Sequence, residues 1–140
     1  MSEKELQESL ALLDLYRAQI ESLAEQQQII QATIEEHARA KSTLASVSET
    51  EEGTEILVPV GGNSFVFAKV ASNKKAIVGI GSGISVEKPM DEAVKTIESR
   101  MQELIDTFNK LGERRSALEA QTSQLTKKIQ ETYQTMQQRI

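Results

Sequence analysis

Apolar residues recur with heptad spacing in two stretches of nearly equal length, and a short β-branched segment separates them. With Leu6 as position a, eight of the twelve seam positions up to Leu44 are apolar. From Val94 onward, ten of the fourteen positions up to Arg139 are apolar. A heptad repeat sustained over such lengths is typical of coiled coils. Because the stretches match in length, the sequence predicts that the chain folds back into two antiparallel helices with both termini at one tip.

The predicted helices span residues 2–46 and 89–140. Ser2 and Glu5 have the spacing of a capping box, which satisfies free N–H groups at a helix start. Pro89 suits the first position of a helix, where its missing N–H costs nothing.

Three polar residues, Gln27, His37 and Lys41, interrupt the first seam. We interpret them as residues that set the register of the helices at some cost in stability. A metal or catalytic role for His37 is disfavoured, because the chain has no second His and no Cys.

The central segment, 53–88, reads as two consecutive β-hairpins. Predicted strands at 55–60 and 64–70, and at 76–80 and 84–88, are separated by Gly-rich turns. Pro59 cannot donate to a strand ladder, so the first strand is expected to be an edge or to carry a bulge there. The glycines around Gly81 do not indicate a phosphate loop, since a strand rather than a helix follows them.

Four short strands cannot bury their own apolar side chains. We therefore predict that the hairpins pair with copies or relatives from other subunits. The residues expected at this oligomerisation surface are Ile56, Val58, Phe65, Phe67, Ile77, Val78, Ile80, Ile84 and Val86.

Both ends of the chain carry more apolar residues than a two-helix seam needs. Packing against a neighbouring subunit would explain the surplus, and so would an exposed patch that binds other proteins; we favour binding. The residues expected at this tip are Leu6, Leu10, Leu12, Leu13, Tyr16, Ile129, Tyr133, Met136 and Ile140.

Composition argues against several classes of function. The net charge is −5 and there is no basic stripe, which disfavours nucleic-acid binding. There is no apolar run of the ~18 residues needed for a membrane span, and no secretory leader is expected. The absence of Cys fits a cytoplasmic protein with no thiolate metal site. Without a nucleophile–base pair or a metal cluster, an enzyme is not expected.

The two stretches 56–65 and 78–88 resemble the two-hairpin insert of alpha-class subunits of archaeal prefoldin. The resemblance extends over essentially the whole chain, 1–140, as a single prefoldin-like domain. It implies a mostly α fold, in which an antiparallel two-helix coiled coil is connected by two hairpins that assemble into an intersubunit β-barrel.

The resemblance also implies a function. Two alpha-type subunits, this chain and a second copy, would join four beta-type subunits in a hexamer. The coiled-coil tips would hold unfolded client proteins without ATP or any other cofactor, and would deliver them to a group II chaperonin in the cytoplasm. A structural coiled-coil scaffold whose tips bind one defined partner is the alternative.

Overall fold

The computed structural model describes residues 2–139 and contains two long helices separated by four strands. In chain order these are α1 (Glu3–Ser48), β1 (Glu55–Gly61), β2 (Ser64–Lys69), β3 (Lys75–Gly81), β4 (Ile84–Pro89) and α2 (Met90–Gln138). The strands form two antiparallel hairpins, β1–β2 and β3–β4. The predicted fold class, two helices connected by two hairpins, is confirmed.

The chain divides into two compact units. The terminal unit consists of the residues up to Ala32 and those from Ile105, and the central unit is Thr33–Leu104.

Three boundaries differ from the sequence prediction. Pro89 ends β4, where it pairs with Lys75, and α2 begins at Met90, so the placement of Pro89 inside the helix is wrong. A proline is tolerated there because β4 is an edge strand. The hairpin loops contain two residues rather than three. Finally, α1 continues to Ser48, whose hydroxyl donates to the Ala45 carbonyl near the helix end.

Apolar packing joins the two helices of the terminal unit. Leu6, Leu13 and Ile129 form a buried cluster, and Leu10, Leu125 and Met136 pack against it. The start of α1 therefore contacts the end of α2, which confirms the antiparallel pairing. The predicted capping box is also present, because the Glu5 N–H donates to Ser2 Oγ at 3.2 Å.

A polar layer lies in the same seam around Gln27, which is buried. Its Nε2 donates to the Phe108 carbonyl at 3.2 Å, and its Oε1 accepts from Arg115 Nη1 at 3.3 Å. Gly112 leaves room for this amide, since a Cβ at that position would lie 3.0 Å from Gln27 Nε2. These contacts form only when Gln27 faces Gly112, which supports the register-setting role predicted for Gln27.

In the central unit, polar contacts hold β3–β4 against the first turns of α2. The Arg100 guanidinium donates to the Gly79 carbonyl, and Lys88 Nζ donates to Thr96 Oγ1 at 3.1 Å. Val78 lies on the face of the hairpin that points to the helix, and it is 5% exposed. Packing on α2 thus supplies for this hairpin the second layer that a two-stranded sheet needs.

The two hairpins share one backbone design. The central turn residues have positive φ in both, at Gly62 and Asn63 (57° each) and at Ser82 and Gly83 (54° and 75°). Such angles define the type I′ turn that matches strand twist. Each hairpin also has a register shift just before its turn. The bulge predicted near Pro59 is therefore present, and a second one occupies the equivalent place in β3.

We predict that Gly112→Ala changes the free energy of unfolding differently in two backgrounds. In the natural chain the new methyl group crowds Gln27, so the ~1 kcal/mol that alanine should add to helix stability is lost. In a Gln27→Ala chain the space is free, and the full ~1 kcal/mol should appear. Urea denaturation of the four chains measures both increments. Equal increments would show that the Gln27 amide does not need the space that Gly112 leaves.

Candidate interaction surfaces

The β1–β2 hairpin exposes apolar side chains on both faces. In its ladder, Val58 faces Val66 and Leu57 faces Phe67. Successive strand residues point to opposite faces, so these two pairs belong to different faces. Every residue of β1 is exposed, and Phe67 is 78% exposed. Apolar groups exposed on both faces of an isolated hairpin define a surface that needs a partner.

The β3–β4 hairpin is covered on part of one face, since Ile84, on the same face as Val86, is still 55% exposed. Val78 and Val86 pair across the ladder, as Val58 and Val66 do in β1–β2. Val78 is buried and Val86 is half-buried, whereas Val58 is 37% exposed. Ile77, on the opposite face, is 73% exposed. Contact with α2 therefore distinguishes two hairpins of the same backbone design.

Most of the predicted oligomerisation residues are exposed. They are Ile56, Val58, Phe65, Phe67, Ile77, Ile80 and Ile84. Val86 is half-buried, and Val78 is buried. The prediction omitted Leu57, Val60 and Val66, which are exposed as well. The signal for them was the uninterrupted apolar run around Pro59, because a strand that needs cover on both faces lacks polar alternation.

The predicted tip residues of the terminal unit separate into three groups. Leu6, Leu13 and Ile129 are buried in the seam, and Leu10, Tyr16 and Met136 are half-buried. Leu12 and Tyr133 are exposed, and Ile140 lies outside the described residues. Leu15, which is 52% exposed, joins the exposed group. Near the chain ends the accessible apolar side chains are thus Leu12, Leu15 and Tyr133, and their role in binding remains a prediction. Ile29, farther along α1 in the same unit, is 68% exposed as well.

Polar side chains show no constellation for chemistry in the described part of the chain. Across residues 2–139, no group of three metal-ligating side chains is close enough to hold an ion. His37 is half-buried, and its Nδ1 lies 2.8 Å from the Thr33 carbonyl of the preceding turn. Neither helix, over the same residues, has a segment long and apolar enough to cross a membrane.

Two paired helices and two hairpins, one of them uncovered, define a coiled-coil protein built for contact with other chains. Comparison with known proteins gives the family. The prefoldin subunit family model matches residues 16–139. Prefoldin subunit alpha of Methanocorpusculum labreanum is 32% identical over 137 residues, covering 98% of this chain and 93% of the relative. The chain therefore belongs to the prefoldin family, whose members are chaperone subunits rather than enzymes.

Solved structures agree with this assignment. A filamentous prefoldin from Methanocaldococcus jannaschii, determined by cryo-electron microscopy, is similar with a TM-score of 0.73 and 33% identity. The similarity covers 83% of this chain and 96% of that one. The prefoldin beta subunit of Thermococcus strain KS-1 has the same fold, with a TM-score of 0.61 at 20% identity over 91% of each chain.

Matched threonine substitutions in the two hairpins should lower the free energy of unfolding by different amounts. Val78→Thr places a hydroxyl in a buried site and should lower the free energy of unfolding by about 1–3 kcal/mol. Val58→Thr, at the equivalent ladder position, should change it by less than about 0.5 kcal/mol, because that side chain already meets water. Urea denaturation at concentrations where sedimentation shows a single chain provides the comparison. Equal losses would mean that α2 does not protect β3–β4.

Proposed function

We propose that this chain is the alpha-type subunit of an ATP-independent chaperone that holds unfolded proteins in the cytoplasm. Two copies join through their hairpins, and four beta-type subunits complete a hexamer with a β-barrel body. The terminal units capture client proteins and deliver them to a group II chaperonin.

The observation that carries the assembly proposal is the uncovered β1–β2 hairpin. Leu57, Phe65 and Phe67 lie on one face, and each is more than half exposed. A long apolar strand edge left in water promotes aggregation. Its burial in an intersubunit sheet would remove both the exposed faces and the free edge. The alpha designation of the relatives, and a beta subunit among the similar folds, support a second subunit type.

Client capture is supported by the apolar surface of the terminal unit. Leu12, Leu15 and Tyr133 offer small apolar contacts, and each CH₂ buried on binding contributes ~0.8 kcal/mol. A single unit therefore binds weakly, and several units on one body raise the affinity through effective concentration. Weak contacts made many times also allow release without nucleotide hydrolysis.

Replacing Leu12, Leu15 and Tyr133 together by glutamine should abolish most of the protection of clients. These side chains are exposed, so the fold and the assembly should survive the change. Light scattering of several unrelated denatured proteins, mixed with the assembled complex in the absence of nucleotide, measures the protection.

The control carries glutamine at three exposed alanines of the same unit, Ala11, Ala18 and Ala120, and should protect normally. Equal protection by both variants would refute the assignment of the client surface. Protection of one protein alone would instead favour a scaffold for a defined partner.

Phe67→Glu should prevent assembly, because a carboxylate cannot be buried at low cost in an apolar interface. The chain should keep its helix content, since Phe67 is 78% exposed and adds little to its own fold. Sedimentation together with circular dichroism tests both points. Ser99→Glu adds the same charge at an exposed position of α2 and should leave the oligomer intact. An oligomer of unchanged mass in Phe67→Glu would place the interface elsewhere.

A further inference from the structure

One side of the terminal unit carries two shallow grooves between its helices. The first, of about 210 Å³, is lined by Leu12, Tyr16, Gln121, Gln124, Leu125 and Lys128. The second, of about 200 Å³, is lined by Gln19, Ser22, Leu23, Gln26, Arg114 and Leu118. The lining of both grooves is apolar, amide, hydroxyl or cationic, and contains no acidic side chain.

The same side of α1 is free of charge over a long stretch. At the heptad positions that flank these grooves, α1 presents Leu12, Leu15, Gln19, Ser22, Gln26 and Ile29. Leu15 and Ile29 are 52% and 68% exposed. We call this side of the unit, with its two grooves, the acid-free face.

Cations from α2 border the acid-free face. Arg114 and Lys128 line the grooves at heptad position g of α2. Lys110 lies on the same side of α2 at position c, farther from the seam. All three are exposed, and none forms an ion pair among residues 2–139.

By heptad position, the acidic residues Asp14, Glu21 and Glu119 fall on the other side of the unit. Glu8 and Glu131 bound the acid-free face at the end nearer the chain termini, where Glu131 and Lys128 line a further groove. The chain as a whole carries a charge of −5, so this face has the opposite character to the protein around it.

We infer that the acid-free face binds client segments in which acidic residues flank apolar ones. Leu12, Leu15 and Ile29 would take the apolar side chains, and Arg114 and Lys128 would pair with the carboxylates. Charge complementarity of this kind selects partners and raises association rates. The inference rests on the proposed function and adds to it the class of client sequence that this side of the unit prefers.

A second copy of this chain is the competing occupant, because its own acidic side could pack on the face. That arrangement would make a contact between unlike surfaces, which extends from copy to copy without closing. It would appear as self-association that depends on Arg114 and Lys128, and it would overturn the inference.

Three fluorescent peptides with the same apolar residues, flanked by Glu, Gln or Lys, test the inference by anisotropy with the full-length chain at low salt. The Glu-flanked peptide should bind about fivefold more tightly than the Gln-flanked one, and the Lys-flanked peptide should bind most weakly. The difference should shrink as salt is added.

The double variant R114E/K128E should reverse this order, and R114Q/K128Q should remove it. The matched control R17E/K127E reverses an Arg and a Lys that line neither groove, and should keep the order. Circular dichroism confirms that each variant remains helical.

An order that survives R114E/K128E, or that R17E/K127E abolishes equally, overturns the inference. Client protection is measured in parallel with the assembled complex. If protection persists while the three peptides bind alike, the inference fails and the proposed function stands. If the peptide order holds while protection is absent, the proposed function fails and the acid-free face remains a peptide-binding surface.

Discussion

Burial of apolar side chains between α1 and α2 is the interaction on which the rest of the structure depends. Leu6 and Leu13 gain their cover from Ile129, which lies near the other end of the sequence. A long helix with one apolar stripe is not stable by itself in water, because helices gain most of their stability from packing. The fold-back therefore makes both helices possible. It also leaves the side chains that lie outside the stripe for contact with other molecules.

The sequence contains enough information for the elements and the seam, because both depend on local periodicity. Heptad spacing identified most of the positions that are covered in α1, although Lys41 is exposed, and Gly-rich turns identified both hairpins. Sequence alone does not separate Val58 from Val78, which have the same residue type and the same place in the ladder. Their difference arises from Arg100 and Lys88, which hold one hairpin on α2. Such tertiary contacts are not visible in strand periodicity.

For the surfaces, too, the sequence pattern indicates which residues are apolar, whereas tertiary packing decides which of them are exposed. The surplus of apolar residues near the chain ends is evident from composition, but it includes residues such as Leu13 that the seam buries. The partner helix decides which of them remain accessible. Likewise, the pairing of Gln27 with Gly112 follows from the register of two distant segments. A lone glycine in a helix pattern indicates only a local loss of helix propensity.

The shared turn and bulge of the two hairpins have an evolutionary consequence. One hairpin stabilises its own chain through α2, so most substitutions on its inner face are removed by loss of folding. The other contributes little to the fold of its own chain, so its sequence is constrained by whatever molecule covers it. Substitutions in β1–β2 would therefore change which chains this subunit assembles with before they change its own fold.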